Sequence, residues 1–322
     1  MSVLIFVEID NGTIKKTSQE AIAYGAQVAQ MLNASTTVLA LGQADEAALA
    51  TAGNFGATKV LHDANDKLTQ ENSLAYAHVL VQAAQQEGSK VIVLAKSGLG
   101  DAVAARAAAK LQASVVSNIT DLPEISEGTF KVKRSIYTGK AFATVEVQSE
   151  IKVLAIRKNA IEPEPTDELA TVEPFSPSLR DSDFVATITQ VEKASSNLSL
   201  TDADIIVSGG RGMKGPENWG PLEELAKALG AATGCSKPVS DLDWRPHHEH
   251  IGQTGIKVAP NLYIACGISG AIQHLAGVNG SKYIVVINKD PEAPFFKAAD
   301  YGIVGDIFEI LPRLTKAVEA SR

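Results

Sequence analysis

Long apolar runs are missing from this chain. None of its apolar stretches approaches the ~18 residues that a membrane-spanning helix needs, which argues against membrane insertion. An excess of basic residues is missing too. The 322 residues carry 29 Lys and Arg against 37 Asp and Glu, a formal charge of −8. Non-specific nucleic-acid binding needs a basic face and is disfavoured. An anionic small molecule stays compatible, because a site needs only local positive charge. Cysteine is almost absent: Cys235 and Cys266 form no CxxC pair and no metal-ligand spacing. A disulfide framework or a zinc site is set aside, leaving two reduced, partly buried thiols. Aromatics are few, at 5 %, and small apolar residues dominate, as in closely packed α/β layers. The stretch MSVLIFVEIDNG enters a strand at once, without a basic n-region, an h-region or an Arg-rich presequence. A bacterial-type cytoplasmic protein is the simplest expectation; a processed organellar chain stays open.

What is present is alternation. Val3–Ile9 reads as a buried strand, Ser18–Leu32 as an amphipathic helix, Thr36–Leu41 and Lys59–Leu61 as further strands. Asn72–Gln86 and Ala102–Leu111 are helical, with the strand Lys90–Ala95 between them. Strands separated by helices imply βαβ units and an open, mostly parallel sheet. Phe130–Arg134, Ala141–Val147 and Ile151–Ile156 read as antiparallel strands closing a first domain. A Pro/Glu-rich stretch from Glu162 to Thr166 reads as an exposed connection, and Phe184–Val191 as an edge strand. The expected organisation is two α/β domains: 1–195, nucleotide-binding-like without a cofactor of its own, and 196–322, doubly wound. Strands of the second domain are expected at Asp204–Val207 and near Ala232, Leu262, Tyr283 and Ile303.

The segment Leu262–Asp306 is the densest in chemistry. Leu262–Ala265 is a strand, Gly267-Ile268-Ser269-Gly270 a glycine-rich turn, and Ala271–Leu275 a helix start. Free N–H groups at such a start suit a phosphate or pyrophosphate. The strand Tyr283–Ile287 runs into the polar cluster Asn288-Lys289-Asp290-Pro291, placed where open α/β sheets put ligand contacts. The runs GISGAIQHLAG and INKDPEAPFF closely resemble the signature of the electron transfer flavoprotein alpha-subunit family. Ser208-Gly209-Gly210-Arg211-Gly212 and Gly252-Gln253-Thr254-Gly255 match the same family. The likeness is dense from about Asp204 onward and looser, but in register, before it.

The resemblance implies an FAD-binding C-terminal domain. Arg211 corresponds to an arginine set against FAD, and Ser236 to a serine contact. Lys237 stands where the family usually has an arginine beside the isoalloxazine that favours its anionic reduced states; the charge is kept and the planar fork lost. Ile251 leads into the turn Gly252-Gln253-Thr254, which meets the flavin, with the threonine hydroxyl near N5. Ser269, Gly270, Ala271, Ile272 and Gln273 are expected along the pyrophosphate and ribityl region. His274 is expected to hydrogen-bond a pyrimidine carbonyl. Asn288, Asp306 and Ile307 match positions that take the AMP half, although Asp306 also reads as a helix N-cap. His247, His248, Glu249 and His250 have no spacing that would converge metal ligands.

The family resemblance also implies an electron carrier rather than an enzyme with its own organic substrate. It implies a heterodimer with a beta subunit that completes the site and holds AMP or a second FAD. Acyl-CoA or other flavin dehydrogenases would be donors and a quinone-linked oxidoreductase or another acceptor would take the electrons. The open alternatives are a nucleotide-dependent oxidoreductase and a non-redox nucleotide-binding protein on a similar fold.

Overall fold

The computed structural model describes residues 2–126, 128–186, 188–190 and 199–321. The chain divides into two compact units, Met1–Val191 and Glu192–Arg322. The boundary expected between residues 195 and 196 lies outside the described residues.

In the first unit, Ser2–Phe6 sits at the centre of a ten-stranded sheet. Val3, Ile5 and Val7 face one hydrophobic cluster and Leu4 and Phe6 the other, so an unbroken apolar run serves both faces. Helix Lys16–Met31 packs into the first cluster. Ser73–Glu87 and Gly98–Leu111 pack into the second. Parallel pairing runs from Ser114–Ile119 through Lys152–Ile156, Val91–Ala95, Ser2–Phe6, Ser35–Leu41 and Lys59–Asp63 to Thr171–Pro174. Thr129–Ile136 and Ala141–Glu146 extend it antiparallel.

Three expectations need correction. Lys152–Ile156 is not part of the antiparallel closure; it lies between two parallel neighbours, buried on both faces, which is why it reads as uninterrupted apolar sequence. Val3–Ile9 is not one strand: it ends at Phe6, and Ile9–Asp10 pairs with Thr13–Ile14 in a small hairpin. Phe184–Val191 is not the edge strand. The edge is Thr171–Pro174, beyond the Pro/Glu-rich stretch, while Asp181–Phe184 forms a 3-10 turn; residues 187 and 191 lie outside the described set.

That turn is held by a buried carboxylate. Asp183 accepts from His78 Nδ1 at 2.6 Å and from the Arg180 backbone N–H at 3.0 Å. Burial would raise its pKa, but these bonds outweigh burial and hold it below the ordinary carboxylate value. Another carboxylate, Glu8, sits buried at the start of helix Gly98–Leu111 and meets the Ser97 hydroxyl. The Ser97 side chain itself caps Gly100 N–H at 2.7 Å, so the protein's own groups fill the glycine-rich turn there.

The second unit is a five-stranded, wholly parallel sheet in the order Ala232–Cys235, Ile205–Gly209, Leu262–Cys266, Tyr283–Asn288, Tyr301–Val304. Helices Gly220–Leu229 and Ile307–Ala320 cover one face around Val207, Ile264, Leu222 and Leu311. The other face, with Ile206, Tyr263 and Ala265, is covered by the short helix Ile272–Val278, Ile251, Val258 and Phe295. Among the described residues, no helix is long and apolar enough to cross a membrane.

Asp183→Ala should lower the stability of the first unit at neutral pH by about 1.5–3 kcal/mol, the usual worth of hydrogen bonds to a buried charge. Because the folded pKa is depressed, the difference should persist above the unfolded carboxylate value and fade as pH falls through the lower folded one. Urea unfolding at several pH values measures it.

Candidate functional site

Parallel pairing brings every strand of the second sheet out at one rim. Gly209, Cys235, Cys266, Asn288 and Val304 are the last residues of the five strands. Arg211, Ser236, Lys237, the turn Gly267–Gly270, and Asp306 follow them directly. His250 bridges in parallel beside Cys235, and the Ile251 N–H donates to Cys235 O at 2.9 Å. The turn after it, from Gly252 to Thr254, is tied to the helix start by Gln253 N–H to Gln273 O at 2.7 Å. Motifs separated by nearly a hundred residues in sequence thus share one edge.

The order of strands reverses between Ile205–Gly209 and Leu262–Cys266, the place where open α/β sheets form a crevice. Here backbones nearly touch. Gly210 N–H donates to Cys266 O at 2.9 Å and Gly212 N–H to Gly267 O at 3.1 Å. A Cβ on Gly210 would lie 2.3 Å from Gly267 O, so no side chain fits. Gly270 has φ +83° and a Cβ there would come within 2.5 Å of Phe295. The floor of the crevice is therefore bare backbone.

Charge on the rim is unspent. The Arg211 and Lys237 side chains are exposed and, among the described residues, have no hydrogen-bond or ion-pair partner. Lys237 starts the short helix Lys237–Asp241 and lies close enough to His250 to help hold that imidazole's pKa down, behind burial and His247. Ser269, Ala271, Gln273, Gln253 and Thr254 are exposed, and Ile272 is 63 % exposed. Ala271 offers no side chain to cap the helix that follows.

Other expected residues do structural work. Ser236 is buried, its N–H donating to Gly209 O at 3.0 Å. Ile251 is buried, so only its backbone can face a ligand. Asn288 donates to Ile268 O at 3.0 Å and accepts from Asp290 N–H at 3.1 Å, which pins the glycine-rich turn to the next strand. Asp306 is an N-cap, accepting from Phe308 N–H at 2.9 Å, and pairs with Lys289 at 2.6 Å; Ile307 is buried behind it. Glu249 is held by Arg245 at 2.8 Å, and His247 Nδ1 lies 3.2 Å from Ser240 Oγ.

His274 is buried, at 6 % exposure. Its Nε2 lies 2.8 Å from the Tyr263 hydroxyl, while its Nδ1 is buried with no hydrogen-bond partner. Burial brings the ring down to about pH 4, against an upward pull from the nearby Ile251 backbone. Tyr263 is the contact that sequence reading passes over: its only signal is one phenol inside a buried apolar strand. Both cysteines are buried, and burial pushes each thiol up to about 12.

Uncommitted cations and backbone-lined glycine contacts on one rim, with an unpartnered imidazole nitrogen buried behind it, suit a large anionic ligand. Comparison with known proteins agrees. A family described as "Electron transfer flavoprotein FAD-binding domain" matches residues 199–279, and "Electron transfer flavoprotein domain" matches residues 3–179. The chain is 39 % identical to electron transfer flavoprotein subunit alpha of Bacillus subtilis over 98 % of its own length and 96 % of that protein. It is 37 % identical to the Syntrophomonas wolfei protein of that name, covering 98 % of each. The mitochondrial protein of that name from Dictyostelium discoideum is 41 % identical over 80 % of this chain and 76 % of that protein.

The depressed pKa of His274 predicts an acid-sensitive second unit. The unfolded ring takes up a proton near its ordinary 6.5, the folded ring only near 4, so stability present above 6.5 is lost as pH falls through that window. His274→Gln should remove part of that slope, with His250, also depressed, supplying the same sign. Urea midpoints between pH 7 and pH 4, roughly a window spanning both values, measure it.

Proposed function

Because the chain belongs to the electron transfer flavoprotein alpha-subunit family, we propose that the rim of its second sheet is the wall along which FAD is laid out. The chain is an electron-transfer flavoprotein alpha subunit and binds FAD. Bound FAD supplies the electron-accepting and electron-releasing chemistry, and the protein supplies position and charge. The observation that carries the layout is the convergence of the Arg211, Ser236, Gly252–Thr254, Ser269–His274, Asn288 and Asp306 segments on one edge.

Each segment has a role its geometry supports. The bare backbone at Gly210, Gly267 and Gly270 lets the pyrophosphate approach the N–H groups of the helix start. Arg211 and Lys237 offer unpaired positive charge to phosphate and to the ring. Thr254 presents an exposed hydroxyl from a turn anchored at both ends. His274 carries an unpartnered Nδ1 buried behind that wall. Asn288 and Asp306 shape the AMP end through the backbone they hold.

The partner in this reading is a beta subunit that closes the site and holds AMP or a second FAD. One rim gives a large ligand only one wall, and exposed Ile272 is costly unless covered. Electrons arrive from acyl-CoA or other flavin dehydrogenases and leave to a quinone-linked oxidoreductase; the chain converts no organic substrate of its own.

Stoichiometric FAD retention should require the partner. The chain expressed alone should lose FAD on gel filtration and the co-expressed pair should keep it, read by flavin absorbance; equal retention in both would sink the shared-site reading. Lys237→Ala should lower the reduction potential of bound FAD by about 10–20 mV, the scale of one exposed charge interaction. Lys237→Arg should raise it. An unchanged potential in both variants would show that Lys237 does not face the ring.

A further inference from the structure

The contact between Tyr263 and His274 lies behind the rim, not on it. Tyr263 is fully buried in the strand Leu262–Cys266. Its ring stacks on Phe295 with centroids 6.3 Å apart, and His274 meets Phe295 edge-on at 5.7 Å. Phe295 in turn packs against Gly270 of the glycine-rich turn. The phenol and the imidazole are thus locked in one aromatic cluster, with Tyr263 OH 2.8 Å from His274 Nε2.

We infer that Tyr263 is a positioning residue: its O–H donates to His274 Nε2 and so fixes the neutral imidazole as the Nδ1–H tautomer, with the proton on the otherwise unpartnered Nδ1. The inference rests on the FAD site proposed above.

Three observations set the direction of the bond. Burial keeps the phenol protonated, so its O–H must find an acceptor in an apolar surround. The neighbouring Ser208 hydroxyl opposes that push only in part and reaches bonding geometry with no group. That leaves the Nε2 lone pair. If Nε2 carried the proton instead, the phenol O–H would have to turn toward the Ser208 hydroxyl, which makes no hydrogen bond in this geometry, while Nε2 lies at 2.8 Å. Second, the ring is neutral near pH 7, so it has one proton to place. Third, Nδ1 reaches no hydrogen-bond partner among the described residues, so no donor there requires it to be the unprotonated nitrogen. A hydrogen bond on one ring nitrogen decides which tautomer the other presents. The strand thereby makes Nδ1 a donor rather than an acceptor.

The test uses the heterodimer with FAD, labelled with ¹⁵N-histidine, and His274→Gln to assign the signal. Imidazole nitrogen shifts are expected to show protonated Nδ1 and unprotonated Nε2. Tyr263→Phe keeps the ring and removes the hydroxyl; it should shift the signal toward Nε2–H, weaken FAD about fivefold and move the reduction potential of the bound flavin. Conversion of Tyr263 to Phe with neither tautomer nor potential changed would overturn the inference, as would an Nε2–H signal in the unaltered protein. The second measurement stands even if the Phe variant fails to fold. A heterodimer that takes up no FAD would defeat the reading beneath, while the tautomer in the FAD-free protein would still decide this one.

Discussion

The second unit depends on one constraint: parallel hydrogen-bonded pairing, in register, of five strands whose carboxyl ends must finish together. In a parallel sheet every strand runs the same way, so every outgoing loop emerges at one edge. Shift the Leu262–Cys266 strand by one residue and Tyr263 would turn from the His274 face to the opposite helices. The glycine contacts at Gly210 and Gly267 tighten the constraint, since two loops can share the crevice only if neither carries a side chain there.

Burial and charge are divided along that edge in a consistent way. Groups that hold the scaffold are satisfied: Asn288 pins the glycine-rich turn, Asp306 caps its helix, and Arg245 clamps Glu249. Among the described residues of this unit, Arg211 and Lys237 are left without partners on the surface, and Ser208 Oγ, Trp219 Nε1, His250 Nδ1 and His274 Nδ1 are left without partners in the interior. A folded chain tolerates an unpaired exposed cation at little cost, and an unpaired buried nitrogen only where something else compensates it. The first unit shows the contrast. Its own glycine-rich turn at the start of helix Gly98–Leu111 is met by Ser97 and the buried Glu8 carboxylate, so the same local sequence style is closed internally.

Sequence reading located the alternation of strands and helices well wherever burial was one-sided or turn residues were plain, as for Lys16–Met31 and Ser73–Glu87 with its Asn72 cap. It placed Ile151–Ile156 in the wrong kind of pairing because an apolar run reports burial, not the direction of its neighbours. It read Phe184–Val191 as a strand because local propensity cannot see His78, more than a hundred residues upstream, reaching for Asp183. Lys90–Leu122 and Asp204–Leu242 both run strand, Ser-Gly turn, helix and Val-Ser segment in sequence, but only that order repeats. In the second unit the two strands of that stretch are neighbours; in the first, Lys152–Ile156 lies between them.

By itself the sequence determined the class of the fold, the net negative charge, and the identity of the segments that carry the family signature, because these depend on residue type and local spacing. Which of those residues remain free for a ligand was decided only by tertiary structure. Asn288 and Asp306 match cofactor-contact positions in sequence; in the fold Asn288 also pins Ile268 O, and Asp306 also caps Phe308 N–H and pairs with Lys289. Tyr263 reads as core and proves to hold His274. Hydrogen-bond partners are a property of which strands lie side by side, and sequence order does not specify that.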